Sequence, residues 1–192
     1  MSLKVFVKKV YRKLFTEENE YKTYQEYHEA ENKRIAEIIS SGGGIVGEDV
    51  DFYDVKMDLG IPAAYRIGSH VTLTNCRLLT HDASITKATG CTRLGHIWIG
   101  DNVFVGADSI VLPNTSIGSN VIIGAGAVIA KDIPDNSVVV GNPARVICSY
   151  DEFINKEMLR IKNNPPCLKG KGRETFKSDC LEYQYVRVRN NE

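Results

Sequence analysis

Apolar and polar positions along residues 99–134 repeat with a period of six. In sixes the stretch reads Ile-Gly-Asp-Asn-Val-Phe, Val-Gly-Ala-Asp-Ser-Ile, Val-Leu-Pro-Asn-Thr-Ser, Ile-Gly-Ser-Asn-Val-Ile, Ile-Gly-Ala-Gly-Ala-Val and Ile-Ala-Lys-Asp-Ile-Pro. Position one is Ile99, Val105, Val111, Ile117, Ile123 and Ile129, and position five is small or β-branched. A period of six fits neither a 3.6-residue helix nor a simple two-sided strand. It fits a short strand and a tight turn, repeated, with each β-branched residue stacking on its copy in the next layer. Gly100, Gly106, Gly118 and Gly124 at position two are expected to supply a backbone conformation that a side chain would oppose. One hexad buries little, so neighbouring layers must provide the core.

The pattern extends toward the N-terminus with breaks. It begins at Val46-Gly47-Glu48-Asp49-Val50-Asp51, stops, and resumes at Ile67-Gly68-Ser69-His70-Val71-Thr72. Positions 67 and 99 are 32 apart, not a multiple of six, so an insertion lies between them. Residues 86–96, which lack the hexad pattern, are the expected loop, and such a loop is where function concentrates.

Before the repeats, residues 1–15 place Leu3, Phe6, Val7, Val10 and Leu14 at helical spacing among five cations. This predicts an amphipathic helix packed on the domain with a solvated basic face; contact with an anionic membrane surface is the alternative. Thr16 followed by Glu17 and Glu18 reads as a helix start, and the helix carries Tyr21, Tyr24, Tyr27, Ile35, Ile38 and Ile39 on its apolar side. Gly42-Gly43-Gly44 reads as a hinge. After the repeats, Ser149-Tyr150-Asp151-Glu152 reads as a capping box opening a short helix that stops before Pro165-Pro166 and caps the open end of the stack. Residues 181–188 read as one extended strand in a polar tail. The expected organisation is a helical extension over 1–44, the repeat domain over 45–148, and a capping helix with tail over 149–192.

Composition adds exclusions. Lys+Arg 24 balances Asp+Glu 24, which argues against a general nucleic-acid binder. Five scattered cysteines favour neither a disulfide framework nor a zinc knuckle and suit a reducing, cytoplasmic setting. No apolar run has the length of a membrane span.

The six hexads, with the exit sequence Ile-Pro-Asp-Asn-Ser-Val-Val-Val-Gly-Asn-Pro-Ala-Arg-Val-Ile at 133–147, resemble the hexapeptide-repeat acetyltransferase family. Its members include maltose, galactoside and streptogramin acetyltransferases and the O-acetyltransferases of polysaccharide biosynthesis. The resemblance implies a mainly β fold, a left-handed parallel β-helix with three hexads to a coil, so that residues 99–134 would make two full coils. It implies acetyl-CoA as co-substrate, with no metal required. A homotrimer with sites between subunits is also implied. His81 matches the family's general base, and the chemistry needs one, because a neutral imidazole takes the proton of an attacking hydroxyl or amine. Backbone N–H groups near Gly106 and Ala107 match the segment that serves the oxyanion. Ala107, Gly124, Ala125, Ala130 and Lys131 match the pantetheine rail, while Lys131 and Arg145 would meet phosphates and Pro134 the adenine. Phe104 and Cys148 depart from the family pattern, which commonly has Trp and a basic residue there. The leading expectation is O-acetylation of a sugar-like small molecule by direct attack, without an acyl-enzyme. Amino-sugar N-acetylation or streptogramin-type acetylation is the near alternative. A γ-carbonic-anhydrase-like metalloenzyme and a non-catalytic β-helix module are the distant ones; His70 and His96 enter as candidates for acceptor contact or metal use.

Overall fold

The computed structural model describes residues 24–163 and the short strands Leu168–Lys169 and Val186–Arg187. The expected basic helix at 1–15 and the helix start at Thr16 lie outside the described residues. From Ile45 onward the chain winds through three parallel sheets in turn. Face A holds Ile45–Val46, Tyr65–Ile67, Ile97–Ile99 and Thr115–Ile117. Face B holds Val50–Tyr53, Val71–Thr74, Val103–Val105, Val121–Ile123 and Ser137–Val140. Face C holds Lys56–Met57, Arg77–Leu78, Ile110–Val111 and Val128–Ile129. Each A–B–C circuit is one coil of a parallel β-helix; four are complete, and a fifth begins where Ile133 pairs with Ile117.

Register explains the hexad. Ile99 pairs with Ile117, Val105 with Ile123 and Val111 with Ile129, each an offset of 18. Positions one and five both point inward, and Ile97, Val103, Val105, Val111, Val121, Ile123 and Ile129 are all buried. Each such aliphatic side chain contributes about 1.5–3 kcal/mol by leaving water. The sixth hexad departs from the expectation of two full coils over 99–134. Ile133 pairs with Ile117 at an offset of 16, because the turn after Ile129 is two residues shorter than the one after Val111.

The repeat glycines do a different job from the one expected. Positive φ is found not at position two but on the Asn, Asp and His residues that follow it, including His70, Asn102, Asp108 and Asn120. Asn and Asp tolerate this left-handed region best among residues with side chains. Where position two is Gly68, Gly100, Gly106 or Gly118, the backbone of the next coil is too close for a side chain. A Cβ on Gly118 would lie 2.6 Å from the Asp135 amide nitrogen, and one on Gly68 2.7 Å from Gly100 carbonyl carbon.

Helix α1 (Tyr24–Ser41) covers the first coil. Ile35 and Ile39 enter the core, whereas Tyr27 is exposed. Asn32 caps the edge strand by donating from Nδ2 to Asp51 (2.9 Å) and accepting the Phe52 N–H (2.8 Å), which protects an otherwise unpaired sheet edge. The Gly42–Gly44 segment is a packed joint rather than the expected hinge. A Cβ on Gly42 would lie 2.0 Å from Pro62 Cγ, and one on Gly44 2.3 Å from Pro62 O.

At the other end, Arg145–Ser149 adds antiparallel to Ser137–Val140 and closes face B. The expected capping box is present. Glu152 accepts from the Ser149 N–H (2.9 Å), and Ser149 Oγ accepts the Glu152 N–H (3.2 Å). It opens a helix over Tyr150–Asn163, which has no buried residue. Strand Val186–Arg187, within the expected tail strand, pairs in parallel with Leu168–Lys169. No helix among the described residues is long and apolar enough to cross a membrane.

Candidate functional site

The corner from face C to face A is where the coils lose regularity, and two irregular corners stack there. The first runs from Asp58 through the short 3-10 turn Pro62–Ala64 before Tyr65. The second is an excursion over 79–96, far longer than the three residues, 112–114, that make this corner in the next coil. It begins earlier than the expected loop at 86–96. His81–Asp82 is the first strand of a hairpin and pairs antiparallel with Arg93–Leu94, with a single turn of helix, Thr86–Thr89, at its tip. Asp82 serves the hairpin. It accepts from the Ser84 N–H (2.8 Å) and from Arg93 (2.7 Å), and the Ser84 contacts first, with Arg93 behind them, hold its carboxyl below the usual range.

His81 thus stands on the excursion itself, and the stacking of the two corners gives it a partner. Its Nδ1 lies 2.8 Å from Asp58 Oδ2. Asp58 is fixed in turn: Oδ1 accepts the Gly60 N–H (3.0 Å), and its own N–H donates to the Tyr65 hydroxyl (2.9 Å). Tyr65 is fully buried, and burial raises its phenol above the ordinary range, so the hydroxyl stays protonated and donates to Leu78 O (3.4 Å). A carboxylate only accepts, so Asp58 holds the proton of His81 on Nδ1 and leaves Nε2 as an acceptor. Half of the His81 side chain is exposed, which gives a substrate access. A cleft of about 220 Å³ beside the pair is lined by Lys56, Met57, Asp58, Arg77, Leu78, Leu79 and His81. Asp58 escaped the sequence reading, although the break in repeat spacing after Met57 was its signal.

The remaining candidates fall on three places. Gly106, Ala107, Gly124 and Ala125 stack at the corner from face B to face C, across face C from His81. The Gly106 and Gly124 N–H groups are already committed, to Ile123 O and Val139 O at 2.8 Å each, and Gly124 also sits under Val140, whose Cγ1 would be 2.9 Å from a Cβ there. The Ala107 and Ala125 N–H groups have no backbone acceptor among the described residues. Ala130 and Lys131 lie in the short last corner from face C to face A, and Pro134 follows Ile133 at the start of the step to face B; all three are exposed. Arg145 lies on the closing strand of face B and donates to Ala144 O (2.7 Å). Small side chains, uncommitted amides and exposed cations on the upper coils suit a long phosphorylated thioester.

The other histidines do not join His81. His70 pairs with Asp49 (3.0 Å) at a corner from face A to face B. His96 stacks on Trp98 (4.1 Å between centroids), over which Arg66 also lies (4.8 Å), and sits 3.4 Å from Ser116 Oγ. Among the described residues no three His, Cys, Asp or Glu side chains gather as metal ligands.

Residues 96–131 match the family model described as bacterial transferase hexapeptide (six repeats). The chain is 42% identical over 118 residues to the protein CapG of Staphylococcus aureus, covering 58% of this chain and 69% of CapG. It is 33% identical over 110 residues to the putative acetyltransferase YvoF of Bacillus subtilis, covering 56% of this chain and 62% of YvoF. A hexapeptide-repeat-containing acetyltransferase of Vibrio cholerae, solved with acetyl coenzyme A, superposes over 62% of this chain and 78% of its own with a TM-score of 0.51 at 22% identity, which shows a shared fold. Repeat, register and the extended match to CapG agree: the chain belongs to the hexapeptide-repeat acetyltransferase family.

Proposed function

We propose that this protein transfers an acetyl group from acetyl-CoA to a hydroxyl of a sugar or saccharide precursor. The observation that carries the reading is the His81–Asp58 pair, set at an open cleft in a chain of acetyltransferase kinship. The coils are left-handed in this reading, as the family resemblance implies. In the proposed reaction the acceptor hydroxyl attacks the thioester carbonyl while its proton passes to His81 Nε2. Asp58 stabilises the imidazolium that results. The Ala107 N–H faces the oxygen that gains charge, a role open to it because its amide is uncommitted. The thioester supplies the activated acyl group, and imidazolium returns the proton to the departing sulfur. No acyl-enzyme forms.

His81 and Ala107 lie on opposite edges of face C in one chain. That separation supports a homotrimer in which His81 of one subunit meets the Ala107–Ala125 edge of its neighbour, with Lys131, Pro134 and Arg145 toward the nucleotide end. N-acetylation of an amino sugar would use the same groups. The test is release of free thiol from acetyl-CoA across sugars, amino sugars and streptogramins. His81→Ala is expected to lower turnover by about 10²–10⁴-fold with coenzyme A binding retained. Wild-type turnover in that variant would remove His81 from the base role.

A further inference from the structure

Two cations line the cleft beside His81 and Asp58, and nothing in the fold requires them. Lys56 and Arg77 are cross-strand neighbours on face C, in direct register. Both are exposed, and neither has a side-chain hydrogen bond or ion pair among the described residues. Like charges directly opposite on adjacent strands are destabilising. The same outward column continues as Ile110 and Val128, so the positive charge is confined to the two coils beside the Asp58–His81 pair. Asp58 is the one carboxylate lining this cleft, and its oxygens are occupied by His81 and the Gly60 N–H. The cations are also set apart from Lys131 and Arg145, which lie on the last coils, where the nucleotide phosphates are proposed to bind.

From this we infer that the acceptor is anionic. It carries a carboxylate or phosphate that Lys56 and Arg77 hold while His81 addresses a nearby hydroxyl. The guanidinium of Arg77 suits a planar two-oxygen group, and Lys56 adds a point charge. The inference rests on the proposed acetyl transfer and narrows its substrate class; neutral sugars lack the group these side chains hold.

The experiment measures thiol release from acetyl-CoA by the full chain with glucuronate, glucose 6-phosphate and glucose as acceptors. Direct binding of the same three compounds is followed by ligand-observed NMR, which needs no turnover. At least one anionic acceptor is expected to exceed glucose by tenfold or more in kcat/KM and to bind more tightly. A preference for glucuronate assigns a carboxylate, and one for glucose 6-phosphate assigns a phosphate. Arg77→Ala and Lys56→Ala are each expected to raise KM for that acceptor about tenfold, leaving KM for acetyl-CoA unchanged. Arg77→Lys should recover part of the loss. Equal handling of anionic and neutral acceptors by the wild type overturns the inference while leaving acetyl transfer intact. Raised KM for acetyl-CoA in either variant also overturns it, since the cations would then serve the cofactor. If no acceptor releases thiol, the acetyl-transfer reading fails separately, and binding decides here: glucuronate and glucose 6-phosphate binding no better than glucose refutes an anion site.

Discussion

Asp58→Asn separates the proposed role of Asp58 from simple crowding beside His81. The native carboxylate divides its oxygens, Oδ1 to the Gly60 N–H at 3.0 Å and Oδ2 to His81 Nδ1 at 2.8 Å. An asparagine that keeps the Gly60 contact turns its NH2 group toward Nδ1. His81 must then present a lone pair at Nδ1 and carry its proton on Nε2, the tautomer that cannot accept a proton from substrate. The alternative rotamer restores an acceptor to His81 but loses the Gly60 bond, at about 0.5–1.5 kcal/mol. The charge-assisted bond from His81 to Asp58 lies in the range of roughly 1.5–3 kcal/mol for such pairs. Asp58 is 30% and His81 49% exposed, so solvent screening brings it to about 1–1.5 kcal/mol. That corresponds to about five- to tenfold in rate. Asp58→Ala should therefore lower kcat about tenfold, and Asp58→Asn at least as much despite its matching shape. The assay is thiol release at saturating acetyl-CoA, with kcat and KM resolved and a thermal melt as control for folding. KM for acetyl-CoA should hold. Full kcat in a folded Asp58→Asn variant would refute the orienting role.

Three further outcomes follow from the coil geometry. Gly118→Ala should destabilise by roughly 1–3 kcal/mol in denaturant unfolding, because its Cβ meets the Asp135 backbone at 2.6 Å. Asn120→Gly, at φ 56°, should change stability far less; equal losses at the two positions would contradict this division of labour. Glu152 is held below the usual carboxylate range by the Ser149 N–H and hydroxyl. Its contribution to the helix start is therefore present above the unfolded-state pKa and lost as pH falls through the lowered folded value, so an NMR acid titration should show the Tyr150–Asn163 helix fraying from its first turn, and Glu152→Ala should show that fraying at neutral pH. Gly95 donates to Thr80 O at 2.8 Å, so replacing residues 81–94 with Asn-Gly should close a tight turn, preserve cooperative melting and abolish acetyl transfer; a collapse of the melt would place the hairpin in the folding core.

What was legible in the sequence was what repeats. The stacked apolar positions of the hexad and the Ser149–Glu152 cap each depend on residues close in sequence, and periodicity and spacing report such relations directly, while three faces to a coil came from the family resemblance. His81 entered as a candidate through the family resemblance and its place before a break in the pattern. Its partner did not, because Asp58 is 23 residues away in a different irregular corner, and only the stacking of two breaks brings them together. The glycine roles were misread for a related reason. A Gly that avoids the next coil and a Gly that adopts positive φ are identical as letters, and only register reveals that Asn102 and Asn120 carry the left-handed backbone. Lys56 and Arg77 look like ordinary surface cations until strand pairing puts them side by side.

The corners differ in how freely they vary, and this accounts for where the proposed site lies. From face A to face B the chain takes the same step in every coil, from Val46 to Val50, Ile67 to Val71, Ile99 to Val103, Ile117 to Val121 and Ile133 to Ser137. Those corners are locked by a ladder in which the Ser69 N–H donates to Asp101 Oδ1, the Asp101 N–H to Ser119 Oγ and the Ser119 N–H to Asp135 Oδ1. An insertion there would break bonds in two coils at once. Among the described residues no such repeating ladder runs through the corner from face C to face A, where single bonds such as the Ser116 N–H to Asp132 Oδ1 (2.8 Å) join one coil to the next. Asp58 begins one excursion, His81 rides another, and Lys131 sits in a corner shortened by two residues. Lengthening a loop adds only about 0.6 kcal/mol of closure entropy per doubling, so this edge can vary while the inner columns keep stacking. A rigid prism with one permissive edge therefore fixes its irregular segments against a regular frame, which is the condition for holding His81, Asp58 and the charged cleft in constant geometry.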